Sequence, residues 1–278
     1  MDLREVDENI FQSVWGNEAI VLDWNPTNQQ IKVYMTGVGY TTMNEKDVEL
    51  MARSNISKEI ARLCGKLKDF PYQIYCDMDD VLVDFVGPAN ARINAALESP
   101  PYGLTTLCER VLADCGKVVD LRDYKRERRA ESLSELVQKL FETDLEFWRS
   151  LPFNREGAKV WRVIATFEKQ PMLLTSPMDK GGSFTSHIGK KYWVKSNLNT
   201  LDTYEWDKRI IFEHKKYEYA KTDGQPNVLI DDFPRKVDPF NEHGGFGILH
   251  IDAQTTLTKL EEIYDAYYSQ NPKTPTED

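Results

Sequence analysis

The stretch YQIYCDMDDVLVDF, residues 72–85, runs from a short apolar segment straight into a cluster of carboxylates. That is the form expected of a buried strand delivering acidic side chains at its carboxyl end. Working outward, four more runs of this kind follow: PMLLT at 171–175, RIIFEH at 209–214, NVLIDDF at 227–233 and FGILHID at 246–252. Helical patterns separate them, notably REGAKVWRVIATFEK before the second run and HIGKKYWVKSNL after it. Strand alternating with helix predicts an α/β fold with a doubly wound parallel sheet.

About 85 residues separate the first two strands, far more than one crossover helix needs. Helical stretches near 88–98, 105–115 and 131–142 mark residues 88–150 as an insert, expected to act as a helical cap. The sheet core is therefore expected at 71–87 and 151–268. Before it, EAIVLDW and IKVYMTGV flank the turn-forming Asn25-Pro26-Thr27-Asn28, and a helical pattern runs from Asn44 to about Leu67. Residues 1–70 are accordingly expected to form a small α+β extension, and 269–278 a frayed tail.

The chain has 278 residues, 35 Lys and Arg against 45 Asp and Glu, and a net charge of −10. Such a balance argues against a broadly basic nucleic-acid coat. No run approaches the roughly 18 unbroken apolar residues of a membrane helix. The acidic start MDLREVDEN lacks the order of a signal peptide, so the expected location is the cytoplasm. Cys64, Cys76, Cys108 and Cys115 form no CxxC pair and read as reduced, buried thiols.

Asp77 and Asp79 stand two apart at a strand end, where both side chains reach one pocket. Converging carboxylates repel unless a cation offsets them, and an all-oxygen set suits Mg²⁺. Asp231 and Asp232, at another strand end, supply the remaining ligands. Open parallel sheets collect ligands at this carboxyl edge. Along the chain the order is apolar-DxDxV, apolar-Thr, a lysine, then apolar-DD.

With IYCDMDDVLVDF, MLLTSP, HKK and VLIDDFP in that order, residues 71–252 resemble the haloacid dehalogenase-like (HAD) phosphohydrolases. Within that superfamily they are most similar to the 5'(3')-deoxyribonucleotidases, and Lys190-Lys191-Tyr192-Trp193-Val194 loosely resembles a KYxWV helix of that group. The resemblance implies a HAD-like, Rossmannoid core and a Mg²⁺-dependent phosphomonoesterase. Asp77 would be the nucleophile and Asp79 the acid and base. Thr175 would bond the phosphoryl oxygens, and a lysine after the third strand would balance the charge. Asp77, Asp79, Asp231 and Asp232 would hold the metal. Lys215 and Lys216 are adjacent, and a gapless count from the third strand favours Lys216. The family's usual glycine after the second aspartate is here Asp80, which adds charge and restricts the backbone.

The resemblance further implies a deoxyribonucleoside monophosphate substrate, its base against aromatics at the junction of core and insert. Phe85, Phe147 and Trp148 are the candidates, and Ser176 follows Thr175 toward the phosphate or sugar. Alternatives are a phosphatase of polynucleotide ends or of another small ester, and a non-catalytic binding module. The enclosing insert favours small molecules over nucleic acid. The basic run DLRDYKRERR reads as a solvated helix face, His187 and His214 as lone histidines, and Gly181-Gly182 lacks the following GKS or GKT of a phosphate loop.

Overall fold

A computed structural model describes residues 19–25, 30–35, 39–44, 55–126, 130–178, 184–198 and 208–272. The Asn25–Asn28 turn (past Asn25), Gly181-Gly182, the end of the basic run at 127–129 and the tail from 273 lie outside the described residues.

Five short strands form one parallel sheet: β4 (Ile74–Cys76), β5 (Met172–Thr175), β6 (Ile210–Phe212), β9 (Val228–Asp231) and β10 (Phe246–Leu249), in the order β10-β9-β4-β5-β6. The chain begins at central β4, builds outward to β6, then returns to the other side. The reversal puts the ends of β4 and β9 side by side, and Asp77 N donates at 2.9 Å to the Ile230 carbonyl. All five strands match the expected apolar runs, because a sheet covered on both faces permits no polar alternation.

The two-residue period divides those runs between two cores. Ile74, Cys76, Leu173, Val228, Ile230 and Ile248 face the main core, whereas Tyr75, Leu174 and Leu229 pack with Ala220 and Phe240 on the other side. Helices flank the sheet: α1 (Asn55–Lys66), α7 (Arg155–Ile164) and α10 (Ala253–Gln270) pack together, and α9 (Pro234–Glu242) lies against β9 and β10. This is the arrangement of a Rossmann-like α/β core.

Between β4 and β5, α2 (Val86–Glu98), α3 (Thr105–Cys115), α4 (Leu121–Arg126), α5 (Glu131–Phe141) and α6 (Leu145–Ser150) make the expected helical insert. The last of these packs on α8 (Thr185–Asn197). Gly189 permits that contact, since a Cβ there would come within 2.2 Å of Trp148 Cβ. The two strands of chain that enter and leave the insert are tied together: Asp84 N donates to the Pro152 carbonyl at 2.9 Å and Asn154 N to the Leu82 carbonyl at 2.7 Å.

Two features of the N-terminal region differ from expectation. The hairpin of β1 (Ala19–Asn25) and β2 (Gln30–Met35) gains a third antiparallel strand, β3 (Gly39–Asn44), whose Gly and Thr content gave little apolar signal. Helix α1 is not part of an appended unit ending at 70. Its Ile60 and Leu63, with Leu67 and Phe70 beyond, are buried in the main core. At the other end α10 runs to Gln270, into the expected tail. Among the described residues no helix is long and apolar enough to cross a membrane.

Candidate functional site

The carboxyl edge of the sheet opens into a cavity of about 440 Å³ lined by Asp77, Asp79, Ser176, Lys216, Asp231 and Asp232 from the core, and by Phe85, Ser134 and Trp148 from the insert and its junction. Asp77 leaves β4 at the reversal point, which is why it meets Asp231 at the end of neighbouring β9. Lys216 sits between them, 1% exposed in its side chain, with Nζ 2.8 Å from Asp77 Oδ1 and 2.6 Å from Asp231 Oδ2. A short 3-10 turn, Lys216–Tyr219, directs it inward, while Lys215 is exposed beside Glu218. Of the two adjacent lysines, Lys216 is the one that faces the carboxylates.

Lys190 of α8 forms a second cationic centre. It is 1% exposed and donates at 2.7 Å to Asp79 Oδ2, at 2.7 Å to Thr175 Oγ1 and at 3.0 Å to the Ser176 carbonyl. The sequence reading assigned it no role. The signal was the phase of α8, whose Ser186, Gly189, Lys190, Trp193 and Val194 all lie on the buried face. Thr175 is fully buried behind this lysine. Its hydroxyl accepts from Lys190, and Ser176 is the member of the pair that lines the cavity. Ser176 Oγ donates at 3.2 Å to the Glu213 carbonyl.

The environments of the first two carboxylates pull them apart. Burial pushes the Asp77 carboxyl up, but Lys216 and Lys190 together outweigh it, and the net shift is below the ordinary value. For Asp79 burial dominates over the Lys190 charge, the Asp77 charge adds to it, and the net shift is upward. Asp79 keeps 27% of its side chain open to the cavity, so water there moderates the effect. Asp231, fully buried, is pushed up to about 6, by burial first, against the pull of Lys216.

Asp77, Asp231 and Asp232 each offer an oxygen within 4.8 Å of the others. Asp77 Oδ1 and Asp79 Oδ1 are buried without a hydrogen-bond partner, the former despite its 2.8 Å ion pair, which is misaligned for a hydrogen bond. The Asp77 oxygen, inside the three-carboxylate cluster, fits a divalent cation such as Mg²⁺. The Asp79 carboxylate is the exception among the four expected ligands, because it falls outside that cluster and turns to Lys190.

Asp80 adopts φ 57°, the left-handed conformation that glycine takes freely and aspartate tolerates better than most residues. Its Oδ1 accepts from Phe85 N at 3.2 Å and Val86 N at 2.9 Å, capping α2 and offsetting the strain. Phe85 stacks on Trp148, with centroids 5.7 Å apart and planes at 16°, and meets Phe147 edge-on. Trp148 is only 1% exposed, and its Nε1 donates at 2.9 Å to the Phe141 carbonyl. The aromatic junction is thus chiefly a packed cluster that shows one margin to the cavity. His187 is half-buried against the Phe212 ring, whereas His214 lines the cavity.

A scan against protein-family models finds no match, and no curated protein matches the chain.

Proposed function

We propose that this chain is a HAD-like, Mg²⁺-dependent phosphomonoesterase of the 5'(3')-deoxyribonucleotidase type, acting in the cytoplasm on nucleoside monophosphates. One observation carries the reading: at the reversal point of the sheet, Asp77, Lys216, Asp231 and Asp232 converge on one cavity, with a single lysine between two of the carboxylates. The order of motifs along the chain is the second support.

Asp77, held ionised by two lysines, attacks phosphorus and the ester P–O bond breaks. Asp79, whose raised pKa keeps a proton within reach, donates that proton to the departing alkoxide. Water then attacks phosphorus of the resulting Asp77 acyl phosphate, Asp79 takes the water's proton, the bond between phosphorus and the Asp77 oxygen breaks, and inorganic phosphate leaves with the Asp77 carboxylate restored. Asp77, Asp231 and Asp232 would hold Mg²⁺, which neutralises phosphoryl charge and so lets one anion approach another. The insert is the cap in this reading, bringing Ser134 and the Phe85–Trp148 cluster over the base or sugar.

The test is phosphate release from a panel of nucleoside monophosphates, sugar phosphates, p-nitrophenyl phosphate and phosphorylated oligonucleotide ends, with Mg²⁺ and with EDTA. Metal-dependent release, highest on nucleotides, is the expected result. Release from none of them would leave a non-catalytic module.

A further inference from the structure

The cavity has a second cationic wall that the hydrolytic steps leave unused. Arg235 and Lys236 open α9, just after the Asp231–Asp232 pair, and both line the cavity beside Phe233 and His214. The cations of the floor are already committed, Lys216 to Asp77 and Asp231, and Lys190 to Asp79 and Thr175. Arg235 and Lys236 differ. Among the described residues, no carboxylate lies within ion-pair distance of either. Lys236 Nζ donates at 2.6 Å to the His214 carbonyl, and the Arg235 guanidinium lies 5.9 Å from the Phe233 ring centroid.

The neighbouring carboxylates have other work. Asp80 caps α2, and Asp232 belongs to the metal cluster. Two positive side chains on a cavity wall, near a third at Lys216, repel one another, and an anion placed among them would relieve that cost. Burial first and then the Lys216 charge lower the Lys236 pKa, and the more distant charges of Asp231, Asp77 and Glu213 only partly offset them.

We infer that Arg235 and Lys236 form a second anion subsite, so that among the nucleotides this site hydrolyses those bearing a second phosphate, nucleoside bisphosphates, are taken in preference to plain monophosphates. The inference rests on the phosphomonoesterase reading, with one phosphate at Asp77 and the other at the start of α9. A terminal phosphate, with nearly two charges, suits two cations better than a phosphodiester with one, and the insert limits access by longer chains.

The experiment compares kcat/KM with Mg²⁺ for a nucleoside 5'-monophosphate, the 3',5'-bisphosphate of the same nucleoside, and a 5'-phosphorylated dinucleotide. The bisphosphate is expected to lead the monophosphate by about 10-fold, through KM, with the lead shrinking as salt rises. Arg235→Gln, at an exposed position, should cut that lead by about 3-fold to 10-fold, and Arg235→Lys should restore part of it. Lys236→Gln should do the same, with a thermal melt to confirm folding.

Equal rates on mono- and bisphosphate, unaltered by Arg235→Gln, would overturn the subsite. A dinucleotide that outpaces the bisphosphate would overturn the small-molecule assignment and favour polynucleotide ends. Calorimetric binding of the bisphosphate in EDTA, to the parent and to Arg235→Gln, separates the two readings. Weaker binding to the variant without turnover of any substrate would refute the phosphatase and keep the subsite, whereas equal binding would refute the subsite itself.

Discussion

Two ionic networks of this protein use the same residue types to opposite ends. On the surface, Arg62 and Lys66 of α1 meet Glu261 and Asp265 of α10, with Glu59 beside them, and their side chains are 22–54% exposed. There two cations serve three carboxylates, and water reaches all of them. The Arg62 hydrogen bond first, then Lys66, brings Glu261 down to about 2, and Arg62 is raised in return. At the sheet edge Asp77, Lys216 and Asp231 are 11%, 1% and 0% exposed, so one lysine serves two carboxylates with little water to screen them. The surface network has water to screen its excess carboxylate and fastens two helices. The buried one is under-compensated, which costs stability and is the state in which a site can take up a cation or a phosphate.

Asp77→Asn is the largest break in that contrast. The amide cannot accept a phosphoryl group, so turnover in a phosphate-release assay should fall by at least about 10⁴-fold while the fold persists. Retention of more than a few per cent of activity would remove Asp77 from the nucleophile's role. Lys216→Met comes next. It leaves Asp77 and Asp231 facing each other without their shared cation, and urea unfolding should show a loss of about 3–5 kcal/mol, partly regained with Mg²⁺. An unchanged midpoint would mean that the buried network is not under strain.

Metal binding should then sharpen the difference. Mg²⁺ at about 100 times its Kd should stabilise the parent by about 2.7 kcal/mol, read as a rise in the melting temperature. The sign with pH follows from Asp231. Its folded pKa of about 6 lies above the ordinary 3.8, so its contribution to stability is full below 3.8 and is lost as pH rises through 6. Protons and Mg²⁺ compete for the cluster, and the metal's gain should therefore be larger at pH 7.5 than at pH 5. A gain that is equal at both values would detach the metal from these carboxylates.

The smallest effect is expected on the surface. Glu261→Gln should cost about 0.5–1 kcal/mol in urea at pH 7, given solvent screening of so open a pair. With a folded pKa of about 2, this contribution is present above 4.5 and disappears as pH falls through 2, so the difference between parent and variant should narrow in acid. A loss of several kcal/mol would show that the α1–α10 network matters to the fold as much as the buried one.

Much of this molecule is written in local pattern. The apolar runs before Asp77, Thr175 and Asp231 announced their strands, because a strand buried on both faces has to be apolar throughout. The insert was legible from its length and its 3.6-residue period. What escaped was whatever depended on phase and on distant partners. β3, with Gly39 and paired threonines, carries little apolar signal, and α1 reads as an appendage until Leu63 and Leu67 are seen inside the core. Lys190 and Lys191 look alike in the sequence, yet the first is sealed against Asp79 and the second is not.

The sequence by itself therefore determined the parallel sheet and the carboxylates at its edge, since hydrophobic period and strand-end position are properties of neighbouring residues. Only the tertiary structure decided that Lys216 turns inward and Lys215 outward, that Thr175 stands behind Lys190, and that Asp80 takes a left-handed turn to cap α2. Lys190 and Asp79, 111 residues apart, meet because α8 packs on α6 with Gly189 at the contact. Convergence of that kind is set by how elements pack, and no local period encodes it.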